Sequence, residues 1–99
     1  MKSLSIRPAI WGQCAQVAKW YDSQTIGVGR RFEDALLACL VRIEAFPYQF
    51  AAGFRGTRKG IVDRFPYVVC YRILGNTIDV FCVVHNRRSA SAWTSQIDP

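Results

Sequence analysis

The dipeptide Gly75-Asn76 is the feature that most constrains the fold of this 99-residue chain. It separates two segments, 67–74 and 77–85, that are rich in Val, Ile, Tyr and Phe, and such a dipeptide suits a two-residue hairpin turn. The segments therefore predict an antiparallel hairpin of strands Tyr67–Leu74 and Thr77–His85. A turn of this length also predicts the register, because the residues that flank it must face each other.

The predicted register pairs the two strands residue by residue from the turn outward. The pairs are Leu74 with Thr77, Ile73 with Ile78, Arg72 with Asp79, Tyr71 with Val80, Cys70 with Phe81, Val69 with Cys82 and Val68 with Val83. Side chains alternate between the faces of a sheet, so one face carries Tyr67, Val69, Tyr71, Ile73, Ile78, Val80, Cys82 and Val84. This almost unbroken apolar face predicts the core.

The opposite face of the hairpin mixes charged and apolar side chains. It carries the Arg72–Asp79 pair, then Val68, Cys70, Phe81 and Val83, and finally His85. Its apolar part is too large to lie open on a soluble monomer. Either the C-terminal tail, with Ala90, Ala92 and Trp93, or a separate chain could cover it, and the residues alone leave both open. The register also places Cys70 and Cys82 on opposite faces, which argues against a disulfide between them.

The rest of the chain predicts a single α+β domain, residues 1–99. Apolar residues recur at helical spacing over 9–23 and 30–45, and the short turn with Gly27 and Gly29 makes these an antiparallel two-helix hairpin. Residues 3–7 predict a strand at the sheet edge, and 57–62 predict the first strand of a three-stranded antiparallel meander. The predicted architecture is an N-terminal strand, the helical hairpin and the meander, forming one mainly antiparallel sheet.

The charge and the cysteines restrict the function. The chain has a net charge of +6, and seven of its thirteen basic residues lie between Arg55 and Arg88 against two acids, which favours a polyanionic or acidic protein partner. Cys14, Cys39, Cys70 and Cys82 lack metal-ligand spacing and sit in apolar periodic segments, as buried thiols do. No run approaches the roughly 18 apolar residues that a membrane span needs. The sequence therefore predicts a cytoplasmic protein with no metal site, no cofactor and no membrane span.

One segment concentrates groups that could do chemistry. His85, Arg87, Arg88 and Trp93 combine a titratable imidazole, two cations and a stacking surface. A simpler interpretation of the same residues is that His85 is solvated at the end of a strand and that the two arginines only keep the following segment soluble. Arg55, Arg58, Lys59 and Arg64 would extend a basic rim, or they would protect an edge strand by charge.

Several motifs, taken in order, resemble those of the RelE/ParE toxins of bacterial type II toxin–antitoxin systems. They are Trp20-Tyr21, Gly29-Arg30-Arg31-Phe32, Ile43-Glu44-Ala45-Phe46-Pro47, Arg58, Phe65-Pro66-Tyr67-Val68-Val69-Cys70-Tyr71-Arg72, Val84-His85-Asn86-Arg87-Arg88 and Trp93. The resemblance covers nearly the whole chain, and the fold it implies agrees with the one predicted from periodicity.

The RelE branch implies a metal-independent endoribonuclease that cuts mRNA on the ribosome. Lys59, His85, Arg87 and Trp93 are the catalytic residues that this resemblance would assign. That branch commonly has an arginine where this chain has Val68, and a second lysine where it has Ile61. Cations that stabilise phosphoryl charge are costly to lose, so these differences argue against ribonuclease activity.

The Phe-Pro-Tyr strand and the His-Asn-Arg-Arg ending look more like the ParE branch, whose characterised members poison DNA gyrase. This resemblance implies a target-binding surface of Arg58, Lys59, Arg72, His85, Arg87, Arg88 and Trp93. It also implies a hetero-oligomer with a cognate antitoxin, which would cover the apolar residues Val68, Cys70, Phe81 and Val83.

Overall fold

The structure is a computed structural model that describes residues 2–87. Its elements are β1 (Ser3–Ile6), α1 (Pro8–Gln24), α2 (Val28–Ala45), a 3-10 turn (Phe54–Gly56), β2 (Arg58–Ile61), β3 (Tyr67–Leu74) and β4 (Thr77–His85). The strands form one sheet in the order β1-β4-β3-β2. β1 runs parallel to β4, and the other pairs are antiparallel. The predicted α+β architecture is confirmed, with β1 at a sheet edge.

The two helices approach closely because of glycine at the start of α2. A Cβ atom on Gly29 would lie 2.3 Å from the carbonyl oxygen of Ala18 in α1, so a side chain there would force the helices apart. Gly27, before α2, has a φ of +93°, which favours glycine. The Asp22 carboxylate accepts the backbone N–H groups of Gly27 and Gly29 at 3.1 and 2.9 Å. This turn therefore holds the helical hairpin together.

Both helices cover one face of the sheet, which is called the inner face below. Phe32 of α2 is fully buried, with its ring 5.3–5.8 Å from the rings of Tyr21, Phe65 and Tyr67. Tyr71 of β3 is also fully buried, and its hydroxyl donates to the Pro47 carbonyl at 2.7 Å. The apolar face predicted from Tyr71, Ile78 and Val80 is therefore the core.

The hairpin register is as predicted only near the turn. The four pairs from Leu74–Thr77 to Tyr71–Val80 are confirmed, but the register then shifts by one residue between Tyr71 and Cys70. Phe81 is the extra residue of a β-bulge. Beyond it the pairs are Cys70 with Cys82, Val69 with Val83, Val68 with Val84 and Tyr67 with His85. The predicted pairs Cys70–Phe81, Val69–Cys82 and Val68–Val83 are wrong.

The bulge exchanges the faces of the last residues of β4. Val83, predicted on the outer face, packs with the inner core. Cys82 and Val84, predicted inward, join a cluster on the outer face with Val68, Cys70 and Phe81. These five buried residues are called the outer apolar strip. The reason is physical: one inserted residue changes the parity of every later position. The prediction that Cys70 and Cys82 lie on opposite faces is therefore also wrong.

Candidate functional site

The outer face carries a charged cluster beside the apolar strip. The Oδ2 atom of Asp79 accepts from Arg7 Nη2 at 3.2 Å and from Arg72 Nε at 3.1 Å. The Asp79 side chain is only 14% exposed, whereas those of Arg7 and Arg72 are 39% and 28% exposed. Two guanidinium groups therefore share one carboxylate.

The cluster and the strip meet at Phe81. The Arg7 guanidinium lies 5.9 Å from the centre of the Phe81 ring, which is a cation–π distance. The segment that brings Arg7 here is the end of β1, which runs parallel to β4 at the sheet edge. The sequence did not indicate Arg7 as a site residue, because the pairing of β1 with β4 cannot be read from either strand alone.

Lys59 of β2 extends the positive charge along the outer face. It lies directly opposite Cys70 of β3 and is exposed. Its ammonium group helps to lower the pKa of the Cys70 thiol, after the larger contribution of a hydrogen bond with Cys82 and against the effect of burial. Lys59, Arg7 and Arg72 thus lie on one face of the sheet.

Arg58, the neighbour of Lys59, takes a structural position. Its Nη1 atom donates to the Phe50 carbonyl and lies 3.5 Å from the Tyr48 carbonyl, and its guanidinium stacks 5.2 Å from the Tyr48 ring. Arg58 is paired with the inward-facing Tyr71. Its guanidinium therefore fastens the 48–50 loop to β2 and does not join Lys59 on the outer face.

His85 lies on the helix side of the sheet, not on the outer face where the register had placed it. Its ring is 5.5 Å from the ring of Tyr67, its partner across the hairpin. Its Nδ1 atom accepts the backbone N–H of Arg87 at 3.2 Å. This bond leaves Nε2 as the nitrogen that could face a ligand.

A cleft of about 410 Å³ opens beside His85. Its lining consists of Gln13, Gln16, Val17, Trp20, Tyr67, Val83, Val84 and His85. The Trp20 side chain is 57% exposed. The sequence did not indicate Gln13 and Gln16 as site residues, because their position beside His85 depends on how α1 packs on the sheet. The cleft offers amides and aromatic rings for binding, and none of its lining residues is a carboxylate.

The structure therefore divides the predicted target-binding residues into groups. Lys59 and Arg72 share the outer face, Arg58 contacts a loop, and His85 lies at the inner rim. Arg87 is exposed directly after β4. Arg88 and Trp93 lie outside the described residues, as does the tail with Ala90 and Ala92. The assignment of all these residues to target binding stays a prediction.

Comparison with known families covers most of the chain. The sequence matches the family model described as "ParE toxin of type II toxin-antitoxin system, parDE" over residues 8–90. The chain belongs to the ParE toxin family. The resemblance to RelE/ParE toxins, and to the ParE branch in particular, is thereby confirmed.

A solved structure supports the fold of this ParE toxin. The chain is similar to one from the "Chromosomal ParDE TA system from P. aeruginosa", with a TM-score of 0.75 and 15% sequence identity. The match covers 86% of this chain and 96% of that chain. A search of curated protein sequences gave no significant match.

Two further findings concern residues 2–87 of this ParE toxin. Neither helix in this range is long and apolar enough to cross a membrane. Within the same range, no group of three or more His, Cys, Asp or Glu side chains is arranged to hold a metal ion.

Proposed function

We propose that this ParE toxin arrests growth in the cytoplasm by binding and poisoning DNA gyrase, and that a cognate antitoxin neutralises it. We favour gyrase over mRNA as the target because the sheet separates Lys59 from His85. Lys59 lies on the outer face opposite Cys70, whereas His85 packs beside Tyr67 on the helix side. A nuclease needs its proton donor and its cations around one phosphate.

The outer face supports the same choice at two more positions. Ile61 of β2 pairs with Val68 of β3, so an aliphatic pair lies where the RelE branch would place a lysine and an arginine. The Ile61 side chain is 63% exposed and Val68 is buried. Such a pair offers contact area to a protein partner but no charge to stabilise a phosphoryl transition state.

The outer face offers two kinds of contact to proteins. Among residues 2–87, the cations Arg7, Arg72 and Lys59 lie on this face with the carboxylate of Asp79, and we expect them to attract an acidic protein surface. We assign the antitoxin to the outer apolar strip, with Cys82 and Val84 in place of the predicted Val83. The five residues are already buried within the chain, so an antitoxin segment would reach them only after local opening of this face. An antitoxin segment lying along the strip would form a hetero-oligomer and would offset the positive charge.

A paired assay with the purified toxin tests the target. We expect it to inhibit DNA supercoiling by gyrase and to leave mRNA on translating ribosomes uncut. Codon-specific cleavage in the ribosome assay, with gyrase unaffected, would overturn the proposal in favour of the ribonuclease alternative. Co-expression of a short acidic reading frame adjacent to the toxin gene should relieve growth arrest if that frame encodes the antitoxin.

A double variant tests the basic segment after β4. We expect Arg87→Ala with Arg88→Ala to abolish growth arrest and gyrase inhibition while the melting temperature stays unchanged, because Arg87 is exposed. The matched control is Arg30→Ala with Arg31→Ala, which removes the same charge from the exposed side of α2 and should leave toxicity intact. Full toxicity of the first variant would show that this segment is not part of the toxin's target-binding surface.

A further inference from the structure

The bulge at Phe81 places two cysteines directly opposite each other. Cys70 of β3 and Cys82 of β4 are register partners, and both belong to the outer apolar strip. Opposite residues of antiparallel strands have Cα atoms about 4.5–5.5 Å apart. A disulfide spans Cα separations of about 4.4–6.8 Å. The backbone therefore already holds this pair at a separation that a disulfide can bridge.

The two sulfur atoms also interact with each other. A hydrogen bond between the Cys70 and Cys82 side chains, together with the charge of Lys59, lowers the pKa of Cys70 although burial opposes this. The other two cysteines are in the opposite situation. Burial raises the pKa of Cys14 to about 11 and also raises the pKa of Cys39. All four cysteines are thiols in the structure. Unlike Cys14 and Cys39, Cys70 combines a sulfur partner with a neighbouring ammonium group that favours the thiolate.

We propose that Cys70 and Cys82 are a redox-active thiol pair that forms a reversible cross-strand disulfide on exposure to hydrogen peroxide. The Cys70 thiolate attacks one oxygen of the peroxide, the O–O bond breaks, and the departing hydroxide takes up a proton to give water. Cys70 is then a sulfenic acid. The Cys82 sulfur attacks the Cys70 sulfur, the S–O bond breaks, and the hydroxide leaves with the Cys82 proton as a second water.

The overall reaction balances and can be reversed. Two thiols and one hydrogen peroxide give one disulfide and two waters, and two electrons pass from the sulfurs to the peroxide. An external dithiol restores both thiols by thiol–disulfide exchange. Cys70 and Cys82 are only 0% and 1% exposed, so the peroxide must reach them through local opening of the strip. This chemistry does not depend on the proposed target.

Peptide mapping of the full chain tests the pair without any substitution. The purified toxin is treated with excess hydrogen peroxide, unfolded, alkylated, digested and analysed by mass spectrometry. We expect the loss of two of the four thiols, a covalent link between the peptides that contain Cys70 and Cys82, and recovery of both thiols with dithiothreitol. Survival of all four thiols, or a link that involves Cys14 or Cys39, would overturn the proposal.

Two variants separate the pair from the other cysteines. Cys14→Ala with Cys39→Ala should still lose both remaining thiols to one intramolecular disulfide. In Cys82→Ala the second step has no partner, so Cys70 should accumulate as a sulfenic acid that dimedone traps. Equal dimedone labelling of Cys14, Cys39 and Cys70 in that variant would mean that Cys70 has no special reactivity, and it would contradict the proposed order of steps.

Discussion

The two faces of the sheet bury their central side chains equally well but differ in what surrounds them. On the inner face, Tyr71 and Val80 are fully buried under the helices. On the outer face, Phe81 and Cys82 are each 1% exposed, yet Asp79 and its guanidinium partners lie beside them. Burial therefore does not distinguish the structural face from the one suited to partners. The distribution of charge does, because charged side chains tolerate burial only with partners.

The largest expected effect concerns the inner face. Phe32→Ala should reduce the free energy of unfolding by about 3–5 kcal/mol, because it removes a fully buried ring from the aromatic cluster. Urea titration measures the loss. Leu37→Ala on the same helix, where the side chain is 52% exposed, should change stability by about 0.5 kcal/mol or less. Equal losses would mean that the inner face is not the main source of stability.

The next effect is a pH dependence of the same face. Burial raises the pKa of Tyr71 from 10.0 to about 12, with Arg58 opposing the shift and Cys39 adding to it. The folded state therefore retains a proton that the unfolded state loses. The resulting stabilisation is complete below pH 10 and disappears as the pH rises to about 12. It amounts to about 2–3 kcal/mol.

The Tyr71→Phe variant isolates this contribution. Other ionisable groups titrate in both proteins, so the unfolding free energy of wild type relative to the variant should fall by about 2–3 kcal/mol between pH 9 and pH 12, and the variant should become the more stable protein at pH 12. Below pH 9 the variant should be less stable by about 1 kcal/mol, because it lacks the hydrogen bond to Pro47. A difference that stays constant over this pH range would contradict the raised pKa.

The smallest effect concerns the charged outer face. Asp79→Asn should cost about 1–2 kcal/mol, because the amide no longer neutralises Arg7 and Arg72, and the loss should be larger at low salt. Asp34→Asn is the matched control, since the Arg30–Asp34 pair is exposed. It should change stability by about 0.5 kcal/mol or less. If both variants behave alike, the outer cluster is an ordinary surface ion pair.

The sequence predicted the inner face and the hairpin turn better than the outer face. Alternation is clear from Leu74 back to Tyr71, so the first four pairs follow from the turn. From Phe81 to Val84 the residues are all apolar, and a period of two cannot be detected in such a run. A bulge there has no signal in the pattern. Because the bulge was not predicted, His85 was assigned to the wrong face, and Cys70 and Cys82 were wrongly assigned to opposite faces.

The sequence predicted which kinds of residue form the candidate site better than it predicted how they are arranged. The concentration of Arg and Lys after residue 55 indicated a basic surface, and Lys59 and Arg72 do lie together on it. Arg58 could not be assigned, because its contacts are backbone carbonyls of a loop whose path is set by tertiary packing. Arg7 was missed for a similar reason, since its partner Asp79 is distant in sequence.

The parallel pairing of β1 with β4 has a consequence for how the toxin is made. Ser3 leaves the ribosome early but pairs with Thr77, so the first strand has no neighbour until nearly the whole chain has been synthesised. Contacts this distant in sequence form late and slowly, whereas the helical hairpin can form locally. A chain interrupted before β4 therefore lacks the strand that carries Asp79 and Phe81, and with it the place where Arg7 docks. Only a chain that includes β4 can therefore assemble the outer face with which we expect the toxin to bind its partners.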